Sequence, residues 1–142
     1  MGDTDYVPAA ISSIGGEVVF HRLPIRPGKP ILGAHLGSTL ILGLPGNPVS
    51  VAVTARVFGV PLLGKLAGLT SPPVQPLVHL SSADDKQLPL TWYRLIEVDS
   101  AGRTQLVTSQ GSGDLVSLAR SAGFVTVAAG QSGPGPWPLT LW

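Results

Sequence analysis

The chain contains no cysteine, and only 12% of its 142 residues are charged. Without cysteine there is no disulfide framework and no thiolate-based zinc centre, and three scattered histidines make poor metal ligands by themselves. A reducing, cytoplasmic setting is the expectation for such usage. The amino end also lacks the basic segment and apolar stretch of a secretory signal, because Met1-Gly2-Asp3-Thr4-Asp5-Tyr6 is acidic. A membrane-spanning helix needs about 20 apolar residues without a break. The segment Val49 to Leu66 comes nearest and is cut by Arg56, Pro61 and Lys65. It is expected as a buried helix of a soluble protein, with no membrane partner.

Negative charge is missing from a long central stretch. The 66 residues between Glu17 and Asp84 hold no carboxylate, yet they carry Arg22, Arg26, Lys29, Arg56, Lys65 and all three histidines. The formal net charge of the whole chain is only +1, and no DNA- or RNA-binding signature is present, so nucleic acid is not the expected partner. The cations are densest in His21-Arg22-Leu23-Pro24-Ile25-Arg26-Pro27-Gly28-Lys29-Pro30. Three fixed charges fall there within eight residues, on a backbone stiffened by three prolines. Repelling charges on a stiff loop point to an anionic ligand, or to a solvated surface loop.

What is present is enough apolar material for a core, 44% of the residues, together with 18 glycines and 14 prolines that make the chain turn often. Tyr6 to Ile14 has helical spacing, with Asp5 placed to cap it and Gly15-Gly16 to end it. Glu17 to Arg22 reads as a strand, and Ile31 to Leu36 as a short one. Thr39 to Leu44 reads as a strand buried on both faces. Pro45-Gly46-Asn47-Pro48 breaks that run. A long apolar helix follows, with Asn47 suited to its N-cap and Pro48 to its first position. This order is that of an α/β layer. From Gly68 to Pro76 the composition is that of a linker, and a boundary is expected near residue 72. Beyond it, Leu77–Leu80, Leu90–Val98, Gln105–Thr108, Phe124–Ala128 and Pro138–Trp142 alternate like the strands of a small β-barrel. Asp114–Ser121 reads as one brief helix, and no internal repeat is present.

Three elements carry the chemistry. The strand–turn–helix Gly43-Leu44-Pro45-Gly46-Asn47-Pro48-Val49-Ser50 turns the free N–H groups and positive end of a helix outward, which suits phosphate or another oxyanion. Gly46 would let a ligand approach the backbone. The cationic loop offers Arg22 and Arg26 as forks for oxyanions and Lys29 as a point charge. Asp3 and Asp5 precede the first helix, where a carboxylate either caps it or coordinates Mg²⁺; the residues alone leave both open. His79, Asp84 and Asp85 are expected at the surface, and Trp92, Trp137 and Trp142 as core or interface aromatics. Ser112 lacks the surroundings of a hydrolase nucleophile.

The runs Gly2-Asp3-Thr4-Asp5-Tyr6-Val7, Gly15 to Arg22, Ile25 to Pro30 and Gly43 to Ser50, with Gln110-Gly111-Ser112-Gly113-Asp114-Leu115 later, resemble in order and spacing the molybdopterin molybdenumtransferases, the MoeA and gephyrin E-domain family. The resemblance implies an α/β fold: the C-terminal half of a MoaB/Mog-like molybdopterin-binding domain over residues 1–72, then a small β-barrel domain over residues 73–142. It also implies that the chain starts inside a domain and corresponds to the C-terminal third of a longer enzyme. The implied activity is insertion of molybdate into adenylylated molybdopterin with release of AMP, using Mg²⁺ or Zn²⁺. Acidic residues of the upstream half-domain have no counterpart here, so no AMP release is expected from this chain alone. Matched to the family, Asp5, Arg22 and Arg26 are the expected catalytic residues, with Asp5 also at the metal. Lys29, Pro45, Gly46, Asn47, Pro48 and Ser50 are expected around the molybdopterin. Family members are elongated homodimers, so a homodimer is expected. A gephyrin-like scaffold module without turnover is the alternative.

Overall fold

The computed structural model of the chain describes residues 5–71, 74–108, 111 and 113–142. The first helix, α1 (Val7–Ser13), has Pro8 in its opening turn. It stops where Gly15 takes a left-handed φ of 83°. There the Gly15 and Gly16 amides donate back to the Ser12 and Ile11 carbonyls at 3.1 and 2.9 Å, the double closure that glycine makes possible at a helix end. Asp5 does not cap this helix. Tyr6 holds the N-cap position with no side-chain cap bond, and the Asp5 carboxylate instead meets His21 Nε2 at 3.2 Å.

Three antiparallel strands follow, β1 (Glu17–His21), β3 (Leu32–Leu36) and β4 (Thr39–Gly43), in the order β1-β3-β4. Between β1 and β3 the chain makes a two-residue strand, β2 (Ile25–Arg26), which leaves this sheet for another. The strand over Thr39–Gly43 is not buried on both faces. Among the described residues it pairs only with β3, and Thr39 and Leu40 are exposed. A continuous apolar run signals burial only where layers cover both sides of the strand.

The long helix is present and forms in three parts: α2 (Pro48–Thr54), a wide π turn (Ala55–Gly59) and α3 (Val60–Leu66). Pro61 has no N–H to offer the carbonyl four residues back, and the backbone widens just ahead of it. Together these 19 residues are long and apolar enough to cross a membrane by length and composition. The expectation of a buried helix holds only for its first half. Val49, Ser50, Val53 and Thr54 are buried, whereas no residue of α3 is.

The remaining strands are β5 (Leu77–Val78), β6 (Thr91–Val98), β7 (Thr104–Leu106), β8 (Gly123–Val127) and β9 (Trp137–Leu141), with the short helix α4 (Leu115–Arg120) before β8. Their sheet runs β2-β6-β8-β9-β5, with β7 also on β6. It curls but is not the closed barrel expected from the alternation. Among the described residues the β5 and β7 ends meet through one bridge, Leu80 to Thr104, rather than a ladder. Residue 72, the expected boundary, lies outside the described residues.

The largest core cluster draws from both halves of the sequence. Ile25, Ile31, Val49 and Val53 pack with Tyr93, Leu95, Val107 and Phe124. Phe124 is fully buried, edge-on to Tyr93 at 5.6 Å and 5.4 Å from the Trp142 ring. Replacing Phe124 with alanine is therefore expected to lower the unfolding free energy by about 3–5 kcal/mol, the usual cost of emptying such a site. The shift of the denaturant midpoint measures it, and a loss below about 1 kcal/mol would contradict its place in the core.

Candidate functional site

The cationic loop begins where β1 ends. Arg22 adopts a left-handed φ of 62° and donates its amide to the Ile31 carbonyl at 3.0 Å, which closes the loop at its base. Inside it, Ile25 and Ile31 are buried while Arg26 and Lys29 are exposed. The apolar pair anchors the loop and leaves the charges outside. Strand β2 then pairs in parallel with β6, Ile25 opposite Thr91 and Arg26 opposite Trp92.

Gly28 seats the loop on the helix. Its φ is 106°, and a Cβ there would collide with the Thr54 methyl of α2. Thr54 is itself fully buried, with its hydroxyl donating to the Ser50 carbonyl at 2.7 Å. Only glycine allows both the left-handed backbone and this approach. The loop and the amino end of the helix therefore face one cavity of about 920 Å³, whose wall includes Arg26, Gly28, Lys29, Asn47, Val49 and Ser50.

The opposite wall comes from the second half of the chain, and sequence reasoning missed it. Trp92 and Arg94 of β6 line the cavity with Asp84. The Arg94 guanidinium grips Asp84 with two hydrogen bonds, Nη1 to Oδ1 at 3.0 Å and Nη2 to Oδ2 at 2.6 Å. It also lies 4.2 Å from the centre of the Trp92 indole. Arg94 beside it, more than any other group, holds the Asp84 carboxyl below its ordinary range. Neighbouring Tyr93 is pushed the other way, its hydroxyl held neutral to higher pH by burial. The Trp-Tyr-Arg run on a strand was a usable signal, since residues two apart share a face. Asp84 carried none, because only folding brings it to Arg94.

Of the residues singled out from sequence, Arg26, Lys29, Asn47 and Ser50 meet in the cavity wall. Asp5, Arg22, Pro45, Gly46 and Pro48 are not part of it. Gly46 has open space where a Cβ would stand, so no steric demand explains glycine there. Among the described residues Arg26 and Lys29 make no ion pair. Among those residues no carboxylate offsets their charge, whereas Asp84 offsets that of Arg94. The described residues do not make a metal centre: no three His, Asp or Glu side chains converge, and Asp5 has His21 as its companion. Asp3, Gln110 and Ser112 lie outside the described residues.

Residues 1–65 match the family model described as a probable molybdopterin binding domain. Over 135 residues, 92% of this chain and 32% of the relative, the sequence is 36% identical to a molybdopterin molybdenumtransferase of Synechococcus elongatus. It is 31% identical to one from Nostoc over 93% of this chain and 32% of that protein. A solved molybdopterin biosynthesis protein from Pyrococcus horikoshii has the same fold, with a TM-score of 0.80 at 23% identity over 96% of this chain and 34% of the other. The chain is thus related over most of its length to the molybdopterin molybdenumtransferases. It spans about a third of the length of these curated relatives.

Two outcomes follow from the geometry. Gly28→Ala is expected to destabilise the protein by about 2–5 kcal/mol, the left-handed backbone costing ~1–2 and the collision ~1–3. Thermal unfolding reads this, and adding Thr54→Ser, which removes the opposing methyl, should return part of the loss but not all of it. Asp84 has a folded-state pKa lowered from 3.8. Its contribution to stability is therefore present above that value and disappears as pH falls through the lower, folded-state one. The stability difference between wild type and Asp84→Asn should be visible at neutral pH and fade in acid. A difference that stays constant down to strongly acidic pH would rule the pairing out as its source.

Proposed function

We propose that this chain supplies the oxyanion-holding wall of a molybdopterin molybdenumtransferase. In this reading the enzyme takes adenylylated molybdopterin and molybdate, leaves molybdenum on the pterin dithiolene and releases AMP. The observation that carries the reading is the convergence of Arg26 and Lys29 with the amino end of the long helix, at Asn47 and Ser50, in one cavity. Both substrates are anions, one with phosphate oxygens and one an oxyanion. Arginine binds such oxygens in pairs through its fork of donors, and lysine adds a compact charge. The helix start contributes partial positive charge to the same side. Groups fixed before the substrate arrives stabilise negative charge without reorganising.

Each residue then has a task. Arg26 orients an oxyanion, Lys29 offsets its second charge, and Ser50 and Asn47 border the helix end where the anion sits. Asp5 and Arg22 are outside this wall, so the reading does not rest on them, and no step runs through a metal. We further propose that turnover needs residues beyond this chain, which spans about a third of its curated relatives. A cytoplasmic homodimer is the setting that goes with this reading.

The test is direct binding. Titration calorimetry with molybdate should show that Arg26→Ala and Lys29→Ala each weaken affinity by roughly 10- to 150-fold, as expected when a hydrogen bond to a charged group worth ~1.5–3 kcal/mol is removed. Arg22→Ala should leave it unchanged, and added salt should weaken wild-type binding. Wild-type affinity in both Arg26 and Lys29 variants would sink the assignment. AMP release from adenylylated molybdopterin by the 142-residue chain alone would overturn the claim that further residues are needed.

A further inference from the structure

Three cations surround one indole. The Cζ of Arg26 lies 5.5 Å from the centre of the Trp92 ring, that of Arg94 4.2 Å, and Lys86 Nζ 5.7 Å. Like charges so close repel, and two features offset the repulsion. Asp84 neutralises Arg94, and the negative face of the indole attracts every member of the group. Arg26 differs from Arg94 in having no carboxylate of its own among the described residues.

We propose that Trp92 is the positioning residue for Arg26, holding its guanidinium in the cavity without neutralising it. A carboxylate partner would order the side chain equally well but would consume the charge and the donors an anion needs. An indole orders it and leaves both available. Strand pairing sets the geometry, because β2 and β6 lie side by side with Arg26 opposite Trp92. Arg94, clamped by Asp84 and only 11% exposed, packs on the same ring and keeps it from turning. The side-chain freedom of Arg26 is thereby reduced before any ligand arrives, which spares the ligand that cost. The assignment of Arg26 to an anion rests on the proposed function; its contact with Trp92 does not.

The experiment separates the two. In ¹⁵N–¹H spectra of the full chain, the Arg26 Nε–Hε resonance, assigned by its loss in Arg26→Lys, is expected to be displaced by the indole ring current. Trp92→Leu should return it to the position of a free arginine. Trp92→Phe, the milder change if leucine prevents folding, should return it part of the way. An Arg26 resonance that stays put in both variants overturns the proposal. With molybdate as the probe, Trp92→Leu should weaken binding several-fold in wild type and have no further effect in Arg26→Ala. An equal loss in both backgrounds would show that Trp92 acts through the fold in general and would also overturn it. Unchanged molybdate affinity in Arg26→Ala would instead defeat the anion assignment, while the ligand-free spectra still decide the role of Trp92.

Discussion

Everything in the cavity depends on one apolar contact, the meeting of Ile25, Ile31, Val49 and Val53 with Tyr93, Leu95 and Phe124. Ile25 and Ile31 of this cluster belong to the segment that carries the cationic loop, Val49 and Val53 to the first turns of the long helix, and the other three to β6 and β8. Charged side chains cannot themselves be drawn together, because Arg26 and Lys29 repel. Burial of the neighbouring apolar residues does it for them. At roughly 25 cal/mol per Å² of apolar surface removed from water, a few fully buried aliphatic side chains outweigh the repulsion between exposed charges in water, which is about 1 kcal/mol at 4 Å. The loop's alternation of buried isoleucine and exposed cation is the local form of that balance. Gly28 against Thr54 fixes how closely it can settle.

The absence of carboxylates from the long central stretch acquires a structural meaning here. A chain that placed an aspartate near Arg26 or Lys29 would pair them and close the cavity to anions. Among the described residues the one acidic side chain in the wall, Asp84, arrives from outside that stretch and is committed to Arg94 by two hydrogen bonds. The wall thus contains both a charge-paired, braced arginine and two cations without acidic partners among the described residues. The braced one meets the indole, and the indole meets Arg26. Charge is conserved on the side where the helix begins, and rigidity is supplied from the side of the sheet.

Much of the architecture was legible because it is written in local signals. The glycine pair closing α1, the β-branched run of β1, the Pro48 start of the helix and the turns between the later strands are each decided by a few neighbouring residues. Burial was less legible. Leu40, Leu63 and Leu66 belong to apolar runs yet stand exposed, since a sequence shows what a segment could bury and not what lies against it. The sheet of the second half read as a barrel because alternation reports one covered face, while closure depends on whether the end strands pair. In the site, Arg26, Lys29, Asn47 and Ser50 were readable from charge and helix-start chemistry. Asp84 was not, because its significance comes from Arg94, ten residues away in the chain and beyond the reach of any spacing rule.

The long helix is unequal along its length, and the cavity uses only one end. Its first turns are locked: Val49, Ser50, Val53 and Thr54 are buried, and the loop sits on them. Past the π turn the helix carries Val60, Leu63 and Leu66 on exposed surface. Local stability follows buried contact, so the carboxyl end opens more readily than the amino end. A site for a small, strongly charged ligand needs donors fixed to within a fraction of an ångström, because electrostatic preorganisation is lost when the groups must move to meet the charge. Asn47 and Ser50 stand on the half of the helix that the core holds still. The same argument places Arg26 on a strand, paired through its backbone with β6, rather than at the free tip of the loop.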